Sequence, residues 1–115
     1  MALHIVEKDL SGVTVLMLVG RLALGEESNQ LRAKIKETLA QGRKRLVLDL
    51  GNVNYIDSAG LGTLVAGYTS SQSQGAGMKL ANLTKRFREQ LSITKLVTVF
   101  EVFGSVEEAI RSFDT

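Results

Sequence analysis

The 115-residue chain has no cysteine and no proline. Without cysteine there is no disulfide framework and no thiolate metal site. That fits a reducing compartment, and a cytoplasmic location is expected. The glycines punctuate rather than cluster, and no linker or low-complexity segment is visible. Residues 1–115 are therefore expected to form a single domain, long enough for one core. Aromatic residues are 5% of the chain, too few to interleave with basic residues as a nucleic-acid surface would require. The formal net charge of +2 is small and does not by itself imply such a partner. The longest apolar stretch, Val13 to Val19, contains Thr14 and is too short to cross a bilayer, so no membrane partner is expected. The N-terminus lacks the basic region and long apolar run of a signal peptide. What remains is an apolar fraction of 44% and a mean hydropathy of +0.10, which argue for a globule and against disorder.

Leu3 to Leu10 alternates apolar and polar residues and predicts a strand. Ser11-Gly12 predicts a tight turn, and Val13 to Val19 a better buried strand antiparallel to the first. Gly20 to Gly25 reads as a loop. Glu26 to Ala40 reads as a helix with Leu31, Ile35 and Leu39 as its stripe and Gly42 as its stop. Leu46 to Leu50, apolar but for Asp49, has the character of a central parallel strand, followed by a loop from Gly51 to Asp57. A second helix is expected from Ser58 to about Gln74 and a short strand from Met78 to Ala81. Thr84 caps a third helix, Lys85 to about Ile93, with Phe87 and Leu91 inward. Val99 to Val102 reads as a last strand. Ser105 and Glu108 form an S-x-x-E capping box for a final helix with Val106, Ala109, Ile110 and Phe113 inward. This order predicts an α/β fold: a mostly parallel sheet of four or five strands with an antiparallel N-terminal edge strand, and four helices packed largely on one face. In such sheets the loops beyond the strand C-termini carry function.

Asp57-Ser58-Ala59-Gly60-Leu61-Gly62 stands at the end of one such loop. It opens a helical pattern with Leu61, Leu64, Val65 and Tyr68 on one buried face. A serine there is exposed, close to unpaired backbone N–H groups and the positive end of the helix dipole, a place that suits a phosphate. The plainer reading is that Asp57 or Ser58 is the N-cap of an ordinary helix. Gly60 and Gly62 weigh against that reading. Each costs the helix up to about 1 kcal/mol relative to alanine, which a cap does not need and a surface approached closely by another protein does.

The segment Leu46 to Gly62, with Asn54-Tyr55-Ile56-Asp57-Ser58-Ala59-Gly60-Leu61-Gly62, resembles the signature of the STAS domain, and more narrowly that of bacterial anti-sigma factor antagonists. The likeness covers nearly the whole chain. Gly20-Arg21-Leu22 matches the loop after the second strand. Met78 to Leu83 matches the fourth strand and its exit, and Val99 to Phe103 with Ser105 to Ala109 the C-terminal end. The resemblance implies a regulator of sigma-factor-dependent transcription rather than an enzyme. When unphosphorylated it binds an anti-sigma factor, often a serine kinase of the histidine-kinase-like ATPase fold. That kinase phosphorylates Ser58 and is released, and a PP2C-type phosphatase restores the serine. The implied partner surface is Asn54, Tyr55, Asp57, Ser58, Ala59, Gly60, Leu61 and Gly62. Many family members carry an acidic residue after Gly-Arg-Leu. Here that position is Ala23, with Glu26 and Glu27 the nearest acids. The alternative within the family is a non-switching scaffold, or an accessory subunit of a transport or signalling complex.

Other chemistries fit less well. A nucleophile elbow G-x-S-x-G would need glycine where Ile56 stands. The single histidine, His4, lies on the first strand and reads as a surface residue. Val65 occupies the third glycine position of a dinucleotide fingerprint, and no Walker lysine follows a glycine loop. Asp49 lacks an acidic pair after an earlier strand and reads as structural or loop-orienting. No cluster has metal-ligand spacing, and no cofactor is implied. Arg43-Lys44-Arg45 and Lys85-Arg86-Phe87-Arg88 read as solvated helix ends and faces. A partner surface at Lys85, Arg86 and Arg88 is the functional alternative.

Overall fold

The first two strands, β1 (Leu3–Leu10) and β2 (Val13–Leu22), pair antiparallel from Leu3↔Gly20 to Leu10↔Val13. Ser11 and Gly12 close the hairpin, both at positive φ, as a tight two-residue loop requires. The computed structural model describes residues 3–95 and 98–114. Three further strands, β3 (Arg45–Ile56), β4 (Gly77–Ala81) and β5 (Val102–Phe103), join in parallel, giving the order β1-β2-β3-β4-β5. The helices are α1 (Glu26–Ala40), α2 (Ser58–Ser73), α3 (Lys85–Thr94) and α4 (Val106–Ser112).

Neighbouring strand residues point to opposite faces. On one face Leu16, Leu18, Leu46, Leu48 and Leu80 meet Leu31, Ile35, Leu64, Phe87 and Leu91 from α1, α2 and α3. On the other, Val13, Val15, Val47 and Ala81 are covered by Ala109 of α4, with Val106, Ile110 and Phe113 around it. The crossover rule explains the split. A helix joining adjacent parallel strands that run in one direction across the sheet must take the same, right-handed side each time. Helix α4 follows the last strand, joins nothing onward, and is free to cover the reverse face.

The strands are longer at one end than their apolar runs. Gly20 to Leu22 belongs to β2, and Gly51 to Ile56 belongs to β3, instead of being loops. The register explains why alternation fails there. Met17↔Asp49 is followed by Val19↔Asn52, and Gly20↔Val53 by Arg21↔Tyr55, so β3 carries an extra residue twice. Such bulges bend the strand and re-aim its side chains. Here Gly51, Asn52, Asn54 and Tyr55 are exposed while Val53 and Ile56 stay buried. The last strand is Val102–Phe103 in place of Val99 to Val102. Phe100 instead enters the core, edge-on to Tyr68 with ring centroids 5.6 Å apart. Asp49 has the loop-orienting role read from the sequence. Its Oδ1 accepts from the Gly51 amide at 3.2 Å and from Asn82 Nδ2 at 3.1 Å, tying the bulged part of β3 to the exit of β4.

Candidate functional site

The extended ends of β2 and β3 deliver two chain reversals side by side, and Asp57 joins them. It is the N-cap of α2, in extended conformation, and its Oδ1 accepts from the Gly60 amide at 2.9 Å. Its Oδ2 accepts from the Leu24 amide at 3.0 Å. The carboxylate therefore bridges the β2–α1 loop and the first turn of α2. The Leu24 N–H, then the Gly60 N–H, hold its pKa below the ordinary aspartate value. Of the two cap candidates, Asp57 is the residue used.

This leaves the hydroxyl of Ser58 unemployed. Ser58 is the first residue of α2, it is exposed, and its hydroxyl makes no hydrogen bond among the described residues. The N-terminus of a 16-residue helix lies beneath it, with the partial positive charge that favours an anion. Among the described residues no base is set against it. Both oxygens of the adjacent Asp57 are taken by backbone amides, and His4 is exposed on the edge strand β1.

The two glycines of the motif have different roles. A Cβ on Gly60 would lie 2.2 Å from the carbonyl oxygen of Leu22 and 2.9 Å from Ile56 Cγ1. Gly60 is buried because α2 starts pressed against the end of β2, whose Leu22 carbonyl also accepts from the Asp57 amide at 3.4 Å. Its absence of a side chain serves the fold, which corrects the expectation of an open surface there. Leu61 is likewise buried, at 5% exposure, and belongs to the core rather than to a partner face. Gly62 meets nothing within 4 Å and is exposed. Its bare surface, with Ser58 and half-buried Ala59, forms the accessible part of the motif.

Asn54 and Tyr55, on the bulged end of β3, extend that surface. Tyr55 is 45% exposed, and the Arg21 guanidinium lies over its ring, 4.9 Å from the centroid. Beside them is a cavity of about 260 Å³ floored by Val53, Ile56 and Phe87 and rimmed by Thr84 and Arg86. Gln90 also lines it and donates from Nε2 to the Ile56 carbonyl at 3.2 Å. Ala23 is buried at 4% exposure, so the position after Gly20-Arg21-Leu22 faces inward. Glu26 is exposed and Glu27 half-buried in the first turn of α1. Of the two basic runs, the first is structural. Arg43 reaches Glu7 and Asp9 of β1, each at 3.8 Å, and Lys44 Nζ donates to the Gln74 carbonyl at 2.8 Å. Lys85, Arg86 and Arg88 are exposed and form no ion pair among the described residues. Leu24, a single leucine in a loop, carries no periodic signal in the sequence, and its place beside Asp57 is visible only in the structure.

Known proteins share this fold. The family model described as the STAS domain matches residues 4–109. BtrV of Bordetella bronchiseptica, provisionally named an anti-sigma factor antagonist, is 33% identical over 107 residues, 92% of this chain and 90% of its own. A crystal structure from Thermotoga maritima with the same provisional description superposes with a TM-score of 0.89 at 25% identity, covering 96% of this chain and 95% of that one. The Bacillus cell fate determinant SpoIIAA in its phosphorylated form shares the fold, with a TM-score of 0.73 at 22% identity over 97% of this chain and 99% of that one. With its antiparallel edge hairpin, its parallel strands and Ser58 at the head of α2, the chain belongs to the STAS domain family.

Proposed function

We propose that this chain is a phosphorylation-switched antagonist of an anti-sigma factor. The observation that carries the reading is the state of Ser58. It is the one side chain of the motif that is exposed, unbonded and seated on a helix N-terminus, while Asp57 performs the capping that Ser58 would otherwise do. The hydroxyl is thus free to accept a phosphate without loss of a fold contact. The unphosphorylated face, made of Ser58, Ala59, Gly62, Asn54 and Tyr55, binds an anti-sigma factor that is itself a serine kinase of the histidine-kinase-like ATPase fold. Phosphate adds about −1.5 to −2 charges and a bulky acceptor group. Inside a contact that charge must be desolvated, so the complex separates. A PP2C-type phosphatase resets the serine. The chain contributes no catalysis of its own, because Ser58 has no base. The relatives' names as anti-sigma factor antagonists support the same reading.

The test is to incubate the protein with ATP and each purified kinase of that fold from its source organism, then map the phosphate by mass spectrometry. Phosphate on Ser58, with loss of kinase binding, is expected. Stable phosphate only elsewhere, as on Thr63 or Ser70, or equal binding by phosphorylated and unphosphorylated protein, would leave a non-switching scaffold as the better description.

A further inference from the structure

Leu24 is 78% exposed, although its neighbours on both sides are fixed. On one side Ala23 is buried, and its carbonyl accepts both the Ser28 amide at 3.1 Å and the Ser28 hydroxyl at 2.7 Å. On the other, Gly25 turns the chain into α1 with φ of 99°, and its carbonyl accepts from the Asn29 amide at 3.0 Å. The Leu24 amide itself is held by Asp57 Oδ2. The leucine's backbone is held, and its side chain projects from it as an apolar knob. A single exposed leucine means little by itself. This one is held at its backbone by the same carboxylate that caps the helix carrying Ser58, so the two residues lie on one surface. A side chain presented on a fixed backbone loses less entropy on binding than one on a mobile loop, which favours it as an anchor in an interface. By contrast Ile93, 80% exposed, sits in the last turn of α3, on a different element from the Asp57 clamp.

We infer that Leu24 is the apolar anchor of the interface that Ser58 switches. The partner carries an apolar socket for Leu24 beside the groups that approach Ser58. This rests on the proposed function and adds to it the chemistry of the partner's surface. It also gives Asp57 a purpose beyond capping, that of holding anchor and switch in fixed register. With that register held, a phosphate on Ser58 obstructs the approach that would seat Leu24.

The test places p-benzoylphenylalanine at position 24, and separately at position 93, in the source cells. The cross-linked protein is identified by mass spectrometry, and the experiment is repeated with Ser58→Glu. Position 24 is expected to capture one protein, less so with Ser58→Glu, and position 93 is not. The captured protein is then purified and titrated calorimetrically. Leu24→Ala should weaken its binding roughly tenfold or more, as for a buried interface anchor, and Ile93→Ala by less than about twofold. Circular dichroism checks the fold of each variant. No capture at position 24, capture only of a second copy of this chain, or unchanged affinity in Leu24→Ala would overturn the inference. Capture of a protein without the kinase fold, with the expected loss in Leu24→Ala and Ser58→Glu, would uphold the anchor and overturn the anti-sigma reading.

Discussion

Asp57 shows how one side chain can set the pH dependence of a local structure. Its two backbone hydrogen bonds lower its pKa in the folded protein below the unfolded value. A depressed carboxylate stabilises the fold above the unfolded pKa, about 4, and loses that contribution as pH falls through the folded pKa. Asp57→Asn can keep the bond from Gly60 but loses the charge, and its amide nitrogen cannot accept from Leu24. Wild type should therefore exceed Asp57→Asn in stability near pH 7, by roughly 0.5–2 kcal/mol as for other caps. The gap should narrow between pH 7 and pH 2, as the wild-type carboxyl takes up its proton. Urea unfolding at the two pH values measures both differences, and a gap that widened in acid would contradict the assignment. The glycines of the motif give a second residue-scale contrast. Gly60→Ala places a methyl 2.2 Å from a backbone oxygen and should cost about 1–3 kcal/mol or more, since backbone must move. Gly62→Ala meets open space and should stabilise α2 by roughly 0.5–1 kcal/mol. Thermal unfolding of the pair gives shifts of opposite sign if the glycines play the parts described.

At the scale of elements, the helices were legible because each has a periodic apolar stripe and a stop or cap. Thr84 accepts from the Phe87 amide and Ser105 from the Glu108 amide, where the sequence put those caps. The ends of β2 and β3 were not legible, since two bulges break the alternation that identifies a strand. The side of the sheet taken by α4 was not legible either, because no crossover constrains it. What holds α4 there is visible only in three dimensions. Lys79 of β4 lies beneath it with a side chain 9% exposed. Its ammonium donates to Ser112 Oγ at 2.7 Å, lies 4.2 Å from the Phe113 ring centroid and approaches Glu101 at 3.6 Å. In sequence Lys79 looks like a polar interruption of a strand. Lys79→Ala removes the cation and its stem together and should lower stability by roughly 1–3 kcal/mol. Hydrogen exchange should rise first at the amides of Ile110 and Arg111. Uniform loss of protection across α1 and α4 would mean that Lys79 supports the sheet as a whole.

Over the whole molecule the motif, the helix start and the exposed serine could be read from the sequence, since they are local. The division of labour within the motif could not. Gly60 owes its identity to Leu22, far away in the chain, and Leu24 acquires its position through Asp57. This division bears on how far the effect of a phosphate at Ser58 would reach. Such a modification would change the formal net charge from +2 to near zero, by about −1.5 to −2. It adds this charge where the α2 dipole favours an anion by about 0.3–1 kcal/mol, and beside the Asp57 carboxylate, which opposes it. The two effects are of similar size and opposite sign. Ser58 makes no contact that the phosphate must break, so the fold has little reason to respond. Phosphorylated protein should accordingly unfold within a few degrees of the unmodified form, about the shift that 1 kcal/mol produces in a domain of this size. Amide chemical-shift changes should be confined to the segments that meet at Asp57, residues 22–25 and 56–62, while partner affinity falls. Large shifts reaching α4 or β1 would mean that phosphate rearranges the fold and that the switch is conformational. Changes confined to the Asp57 junction would mean that it acts by charge and bulk at the contact itself.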